Sequence, residues 1–137
     1  MIKIVIADDH RLVREAWRLV LNRDHRLSVI AVCENGHRAV ETCRVLKPDM
    51  VLMDINMEPM NGIEATRHIR SFSDTIRVIG ISVHTDHTYV NALLQAGANG
   101  YVTKHSSGEE MIAAILQVME GQPYFCKEIE GVVSHQH

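Results

Sequence analysis

Two kinds of segment alternate along this chain, and this alternation constrains the fold more than any other feature. Short β-branched runs predict strands, and between them the apolar residues recur with helical spacing. The predicted strands are Ile2–Ala7, Ser28–Cys33, Met50–Met53, Val78–Ser82 and Gly100–Val102. The predicted helices lie near Leu12–Leu21, His37–Leu46, Gly62–Ser71, His87–Ala96 and Gly108–Met119. Strict alternation of strand and helix indicates βαβ units and a parallel sheet.

The predicted strands are almost entirely apolar, so helices must cover both faces of the sheet. We therefore expect an α/β fold: a doubly wound, five-stranded parallel sheet, of the (βα)5 flavodoxin-like type, with strand order 2-1-3-4-5. The chain of 137 residues is long enough for one such domain, which we assign to residues 1–121. After Gly121 the periodicity fades. Residues 122–137 are therefore predicted to be a linker or tail, with a short turn of helix near Phe125–Ile129.

The composition argues against several classes of protein. With a net charge of −3 and no cluster of Lys and Arg, the chain lacks the electrostatic pattern of a nucleic-acid-binding domain. No apolar run is long enough to span a bilayer, and the N-terminus does not have the pattern of a signal peptide. The 3 cysteines are scattered, with no Cys-x-x-Cys pair, which is typical of reduced structural thiols. We expect a cytoplasmic protein without membrane contact.

Chemically unusual residues fall at the carboxyl ends of the predicted strands, where doubly wound sheets bind ligands. Asp8 and Asp9 follow the first strand, and Asp54 follows the third. Ser82 closes the fourth strand, and Lys104 lies just past the fifth. An acidic pair alone is also typical of a helix N-terminus. The coincidence of all five positions instead favours one pocket that combines carboxylates, a hydroxyl and an ammonium.

These groups are the parts that phosphoryl transfer needs. Crowded carboxylates require a cation, because their repulsion would otherwise raise at least one pKa, and oxygen ligands suit Mg²⁺. A Lys and a Ser opposite a metal-bound Asp provide for an anion attached to that Asp. A carboxylate can act as the nucleophile and form an acyl phosphate. Asp54, alone on its strand and opposite the acidic pair, is the better candidate for that role.

The motifs IADDH, VLMDINM, GISVH and GYVTK, in this order and spacing, resemble those of a bacterial response-regulator receiver domain of two-component signalling. The resemblance covers Met1 to about Gly121. The segment SVHTDHTYVNALLQAGANGYVTKHSSGEEMIAAI further resembles the NarL/FixJ (LuxR-type) subfamily. It implies a transcription-factor output through a C-terminal helix-turn-helix domain that residues 122–137 would lead into. DNA would then be bound only through that further domain.

The resemblance assigns roles around the acidic cluster. Asp54 would accept a phosphoryl group from a phosphohistidine on a sensor histidine kinase. Asp9 would bind Mg²⁺ directly and Asp8 mainly through water, with Asp54 and the backbone carbonyl of Asn56 as further ligands. The chain would not be an enzyme toward other substrates: its chemistry would be its own phosphorylation and autodephosphorylation at Asp54.

The resemblance also implies a switch and its tuning. Lys104 would contact the phosphoryl group, Ser82 would swing to hydrogen-bond it, and Tyr101 would follow by rotating inward. Asn56 and His84 hold positions that tune phosphoryl lifetime in receivers, and an imidazole at His84 would make that lifetime depend on pH. The loop after the acceptor departs from the family pattern, because Glu58 stands where Pro is usual. This extra carboxylate bears on Mg²⁺ affinity and phosphorylation rate.

Other functions stay open at this stage. One alternative is a stand-alone receiver that acts by docking on proteins, and another is a phosphorylation-independent interaction module. A haloacid-dehalogenase-type phosphatase would need Asp-x-Asp after the first strand, and a flavodoxin-like FMN site would need a phosphate loop there; ADDH has neither. The predicted fifth helix is more apolar than one core stripe requires, so a homodimer through the first and fifth helices is a further hypothesis.

Overall fold

The computed structural model describes residues 1–83 and 87–126, except for the side chain of His87. Its strands are β1 (Ile2–Ala7), β2 (Leu27–Cys33), β3 (Met50–Asp54), β4 (Arg77–Ser82), β5 (Gly100–Thr103) and β6 (Tyr124–Phe125). Its helices are α1 (Arg11–Asn22), α2 (Gly36–Leu46), α3 (Gly62–Phe72), α4 (His87–Ala96) and α5 (Gly108–Met119). Every predicted strand and helix is confirmed, with ends that differ by at most one residue.

The sheet has the order β2-β1-β3-β4-β5-β6, and all of its pairings are parallel. The α/β class and the order of the first five strands are therefore as predicted. Helix α1 contacts α5, whereas α2 contacts α3 and α3 contacts α4, so helices cover both faces. The central strand β3 is buried along its whole length, as its apolar sequence requires.

The prediction of five strands was incomplete. Tyr124 and Phe125, assigned to a linker or to a turn of helix, form a sixth strand that pairs with the outer edge of β5. The remainder of the predicted turn, from Lys127 onward, lies outside the described residues. A two-residue strand has no periodicity that a sequence pattern can detect, and its position depends on the edge that β5 offers.

Local signals explain where the helices begin and end. The Asn61 side chain accepts a hydrogen bond from the Glu64 backbone and Glu64 returns one to the Asn61 backbone, a capping box that starts α3. Ser107 caps α5, because its side chain accepts a hydrogen bond from the Glu110 backbone. Helix α2 ends at Leu46, and Lys47 then takes a left-handed conformation with φ 48°. These starts and stops fix the loops that carry the polar residues.

All three cysteines are buried and none forms a disulfide, as expected for structural thiols. Within the two described stretches, no helix combines the length and apolarity needed to cross a membrane.

Candidate functional site

The polar residues predicted to converge do so at the carboxyl edge of the sheet. Asp54 ends β3 and is completely buried, and Asp8, just past β1, is 2% exposed. Ser82 ends β4 and is also fully buried. Lys104 follows β5, and its backbone N–H donates to the Ser82 carbonyl at 2.9 Å. Because β1, β3, β4 and β5 are consecutive neighbours in the sheet, one edge brings these groups together.

A tight acidic cluster occupies the centre of this edge. Asp8, Asp9 and Asp54, together with His10, each offer one ligand atom, and these atoms all lie within 4.8 Å of one another. Two of the carboxylates are buried and Asp9 is exposed. Oxygen-rich ligands that converge around an open side fit a hard divalent cation that keeps some of its water. The arrangement could therefore hold a metal ion.

His10 is not among the site residues that the sequence predicts, although it belongs to the cluster. Its side chain is 66% exposed, but Nδ1 lies 3.2 Å from Asp8 Oδ1 and 3.0 Å from Asp9 Oδ1. Its backbone N–H also donates to Asp8 Oδ1 at 2.8 Å. The only available signal was its place directly after the acidic pair. The imidazole can supply positive charge to both carboxylates when it is protonated.

Lys104 bridges the two buried carboxylates of this cluster. Its Nζ lies 3.2 Å from Asp54 Oδ2 and 3.3 Å from Asp8 Oδ2, and its side chain is only 16% exposed. Burial lowers the pKa of the ammonium, but the charges of Asp54 and Asp8 outweigh that effect and leave the pKa raised. The ion pair to Asp8 was not predicted, because the sequence showed Lys104 only as a partner for a group on Asp54.

Opposing influences act on the pKa of the buried Asp54 carboxyl group. Burial raises the pKa of its carboxyl group, the Asn56 N–H bond at 3.0 Å lowers it, and the charge of Asp8 raises it again. Lys104 lowers it further, yet the net direction is upward. The Asn56 N–H and the Lys104 ammonium fix the orientation of this carboxyl group, and a cation at the cluster would favour its ionised form.

Two further predicted residues, Asn56 and Tyr101, lie on either side of β4. Asn56 lies in the loop after β3, and its side-chain Nδ2 is 3.4 Å from Ser82 Oγ. Tyr101, on β5, is completely buried. It pairs with Gly80 of β4, where an added Cβ would overlap Leu93 and lie 3.7 Å from the Tyr101 ring. Tyr101 is therefore already inward, enclosed on the α4 side of the sheet.

The loop that carries Glu58 forms the outer wall of the site. Glu58 and Pro59 are exposed, joined by a cis peptide, and they line a cleft of about 660 Å³ together with Asp9, Asn56 and Tyr89. Position 62, the first residue of α3, requires glycine because a Cβ there would overlap the backbone of Asp54. The unusual carboxylate thus shares a cleft with the acidic cluster. His84, predicted to tune phosphoryl lifetime, lies outside the described residues.

The geometry agrees with the comparisons with known proteins. The model of the response regulator receiver domain family matches residues 4–116. The chain belongs to this family. Transcriptional regulatory protein DegU of Brevibacillus brevis is 40% identical to the receiver domain over 123 residues, which are 90% of this chain and 52% of DegU. Response regulator GacA of Pseudomonas aeruginosa is 40% identical over 129 residues, or 94% of this chain and 60% of GacA.

Solved structures give the same assignment. A LuxR-family two-component response regulator from Aurantimonas sp. SI85-9A1 superimposes on this receiver domain with a TM-score of 0.92 and 32% identity, covering 98% of this chain and 96% of that one. The signal receiver domain of the putative response regulator NarL from Mycobacterium tuberculosis has a TM-score of 0.85 and 31% identity, over 88% and 98% of the two chains. The chain is thus a receiver domain of the NarL/LuxR type. It spans between 52% and 60% of the length of DegU and GacA.

Proposed function

We propose that this receiver domain is switched by phosphorylation of Asp54, with a phosphohistidine of a sensor histidine kinase as the donor. One observation carries the proposal. The fully buried carboxylate of Asp54 lies 3.2 Å from the Lys104 ammonium and shares a metal-competent cluster with Asp8 and Asp9. A nucleophile, a fixed cation and a metal site within reach of one another are what phosphoryl transfer requires.

The transfer exchanges one bond for another. An Asp54 carboxylate oxygen forms a bond to phosphorus as the phosphorus–nitrogen bond of the donor breaks, and the released imidazole takes up a proton. The Asn56 N–H, which donates to Oδ1, orients the carboxylate for this attack. Lys104, already close to Oδ2, neutralises phosphoryl oxygens. Hydrolysis then returns the carboxylate and releases inorganic phosphate, so the domain turns over only its own phosphoryl group.

Asp8, Asp9 and Asp54, with the backbone carbonyl of Asn56, would hold Mg²⁺. The all-oxygen set fits Mg²⁺, and the convergence of the carboxylate oxygens supports this choice. When bound, the ion supplies charge stabilisation for the transferring phosphoryl group. Exposed Glu58 adds negative charge to the cleft it shares with Asp9 and raises the local attraction for a cation.

Ser82 and Tyr101 would report the phosphorylated state. The Ser82 hydroxyl ends the strand next to Asp54, and Asn56 Nδ2 already lies 3.4 Å from it. A phosphoryl group on Asp54 offers that hydroxyl a stronger, charged acceptor. Tyr101 lies on the neighbouring strand β5, so its ring responds to any shift of the end of β4. The lifetime of the phosphorylated state would be tuned by Asn56, Glu58 and His84.

The output is proposed to be transcriptional. The named function of DegU is transcriptional regulation, and the chain covers 52% of that protein. Residues 1–121 would form the receiver, and residues 122–137 would lead to a helix-turn-helix domain that binds DNA. A protein of this kind acts in the cytoplasm, where kinase and promoter are both accessible.

Dimerisation through α1 and α5 is also proposed. Leu12 and Leu19 lie seven positions apart on α1, on one face, and are 85% and 66% exposed. Helix α5 lies beside α1 and keeps Ile112 and Met119 only half-buried. A second copy of the chain would cover this apolar surface, since paired helices are a common solution for symmetric dimers.

Intact-mass spectrometry tests the proposed phosphorylation. The protein is incubated with phosphoramidate, with and without Mg²⁺, alongside Asp54→Asn. One added phosphoryl group in the wild type with Mg²⁺, and none in the variant, is the expected result. Equal phosphorylation of wild type and variant would refute Asp54 as the acceptor, and no adduct in any sample would refute receiver chemistry. Asp49→Asn, a change at an aspartate that binds the Lys3 backbone at the opposite edge of the sheet, is the matched control.

A further inference from the structure

The sixth strand belongs to a short segment that we name the strap, residues 122–126. Helix α5 ends at Met119, and Gly121, with φ 92°, reverses the chain. The strap then runs along β5, where Tyr124 N–H donates to the Asn99 carbonyl at 3.4 Å and Cys126 N–H donates to the Tyr101 carbonyl at 3.2 Å. The chain thus folds its own C-terminal segment onto the outer edge of the sheet.

Side chains fasten the strap to α5. The Tyr124 hydroxyl donates to Glu110 Oε2 at 3.0 Å, and Gln117 Nε2 donates to the Pro123 carbonyl at 2.6 Å. The backbone also lies close against β5, because a Cβ added to Gly100 would come within 2.9 Å of the Tyr124 carbonyl oxygen. Cys126, at the far end of the strap, is 1% exposed. These contacts indicate that the strap is docked in a defined position against β5 and α5.

The strap rests on the strand that carries the switch residues. Phe125 is the register partner of Tyr101, so the two side chains share one face of the sheet. Phe125 and Tyr124 pack against the hydrophobic cluster that contains Tyr101 and Cys126. Lys104 follows the same strand and is hydrogen-bonded through its backbone to Ser82. The end of β5 that leads to Lys104 and the residues of β5 that pair with the strap therefore belong to one short strand.

From this juxtaposition we infer that the strap is a latch that phosphorylation of Asp54 loosens. The inference rests on the proposed function of Asp54, Ser82 and Tyr101. When Ser82 turns toward a phosphoryl group, the end of β4 shifts. Tyr101, which pairs with β4 and is already enclosed on the α4 side, is then displaced relative to its register partner Phe125, which removes apolar contact from the strap. Tyr124 and Phe125 are only half-buried and the strap lies at the edge of the sheet, so it opens at a smaller cost than the interior strands. Its release uncovers the edge of β5.

Cys126 is a built-in reporter of this opening. The protein is phosphorylated with phosphoramidate and Mg²⁺, the adduct is quantified by intact mass, and the rate of Cys126 alkylation by N-ethylmaleimide is followed by peptide mass spectrometry. We expect the rate for the phosphorylated form to rise about tenfold, a typical size for coupling between sites. Cys33 and Cys43 are internal references because burial raises the pKa of both thiols, that of Cys43 to about 12.

The outcomes distinguish a failure of the latch proposal from a failure of the proposed phosphorylation of Asp54. A phosphoryl adduct with an unchanged or slower Cys126 rate would overturn the latch and leave the proposed function standing. No adduct would overturn both. A rise in rate that also occurs in Asp54→Asn under the same conditions would show a phosphorylation-independent effect and would overturn the latch as well.

Two variants at neighbouring positions of α5 test whether the described contacts hold the strap in the unphosphorylated protein. Glu110→Ala removes the acceptor of the Tyr124 hydroxyl, whereas Glu109→Ala removes an exposed acid from the same first turn of α5. We expect Glu110→Ala to raise the Cys126 alkylation rate about fivefold over Glu109→Ala, the factor that one lost hydrogen bond of ordinary strength gives. Equal rates in the two variants would overturn the latch as described.

Discussion

Replacing Lys104 by methionine removes the cation that two buried carboxylates share. The Asp8 and Asp54 side chains are 3% and 0% exposed, and Nζ lies within 3.3 Å of an oxygen of each. Loss of one partner from a buried ion pair leaves charge without compensation and costs about 3 kcal/mol. Methionine keeps most of the apolar stem, so lost packing adds little. Proton uptake by Asp54, whose pKa burial already raises, limits the loss.

Urea unfolding in EDTA, followed by the fluorescence of the single tryptophan, Trp17, measures this cost. We expect Lys104→Met to lower the free energy of unfolding by about 3 kcal/mol without a change in m-value. Adding Asp54→Asn to Lys104→Met should restore about 2 kcal/mol, because one of the stranded charges is gone. Lys3→Met, at an exposed lysine of β1, is the control. A loss below about 0.5 kcal/mol in Lys104→Met, the level of an ordinary surface change, would refute the reasoning.

Three further predictions concern other parts of the domain. Because the folded-state pKa of Asp54 is raised, its contribution to stability in EDTA is present below pH about 4 and is lost as the pH rises; urea titrations should show Asp54→Asn gaining stability over wild type toward neutral pH. Asn61→Ala removes the cap of α3 and should lower the free energy of unfolding by about 1 kcal/mol; a change no larger than in Gln95→Ala, at an exposed residue of α4, would contradict this. Glu58→Gln should weaken Mg²⁺ binding about twofold, as measured by calorimetry. An affinity equal to that of the wild type would show that Glu58 does not contribute to cation binding.

Long-range patterns made the fold and most of the cluster predictable. Apolar runs in strict alternation with helical segments determine a doubly wound sheet, and the sheet order then places Asp8, Asp54 and Lys104 at one edge whatever the details of packing. The family resemblance adds residue roles that remain proposals. Such signals are carried by many residues at once, so single departures such as Glu58 do not obscure them.

Features set by single contacts were not predictable. The imidazole of His10 reaches Asp8 and Asp9 only because the loop after β1 turns back on itself, and sequence does not specify that rotamer. Lys104 follows β5, and its side chain must reach past β4 and β3 to contact Asp8 at the end of β1. The strap forms because β5 has an open edge and Gly100 leaves room for another backbone. The last two of these features depend on neighbours that lie far away along the chain.

Chemical trapping of the acyl phosphate tests the central claim most directly. After treatment with phosphoramidate and Mg²⁺, borohydride reduces an aspartyl phosphate to homoserine, which peptide mass spectrometry locates. We predict homoserine at position 54 alone, and its absence when Mg²⁺ is omitted. Homoserine at Asp8 or Asp9, or a phosphoryl group on the adjacent His10 with Asp54 unmodified, would contradict the assignment of the acceptor.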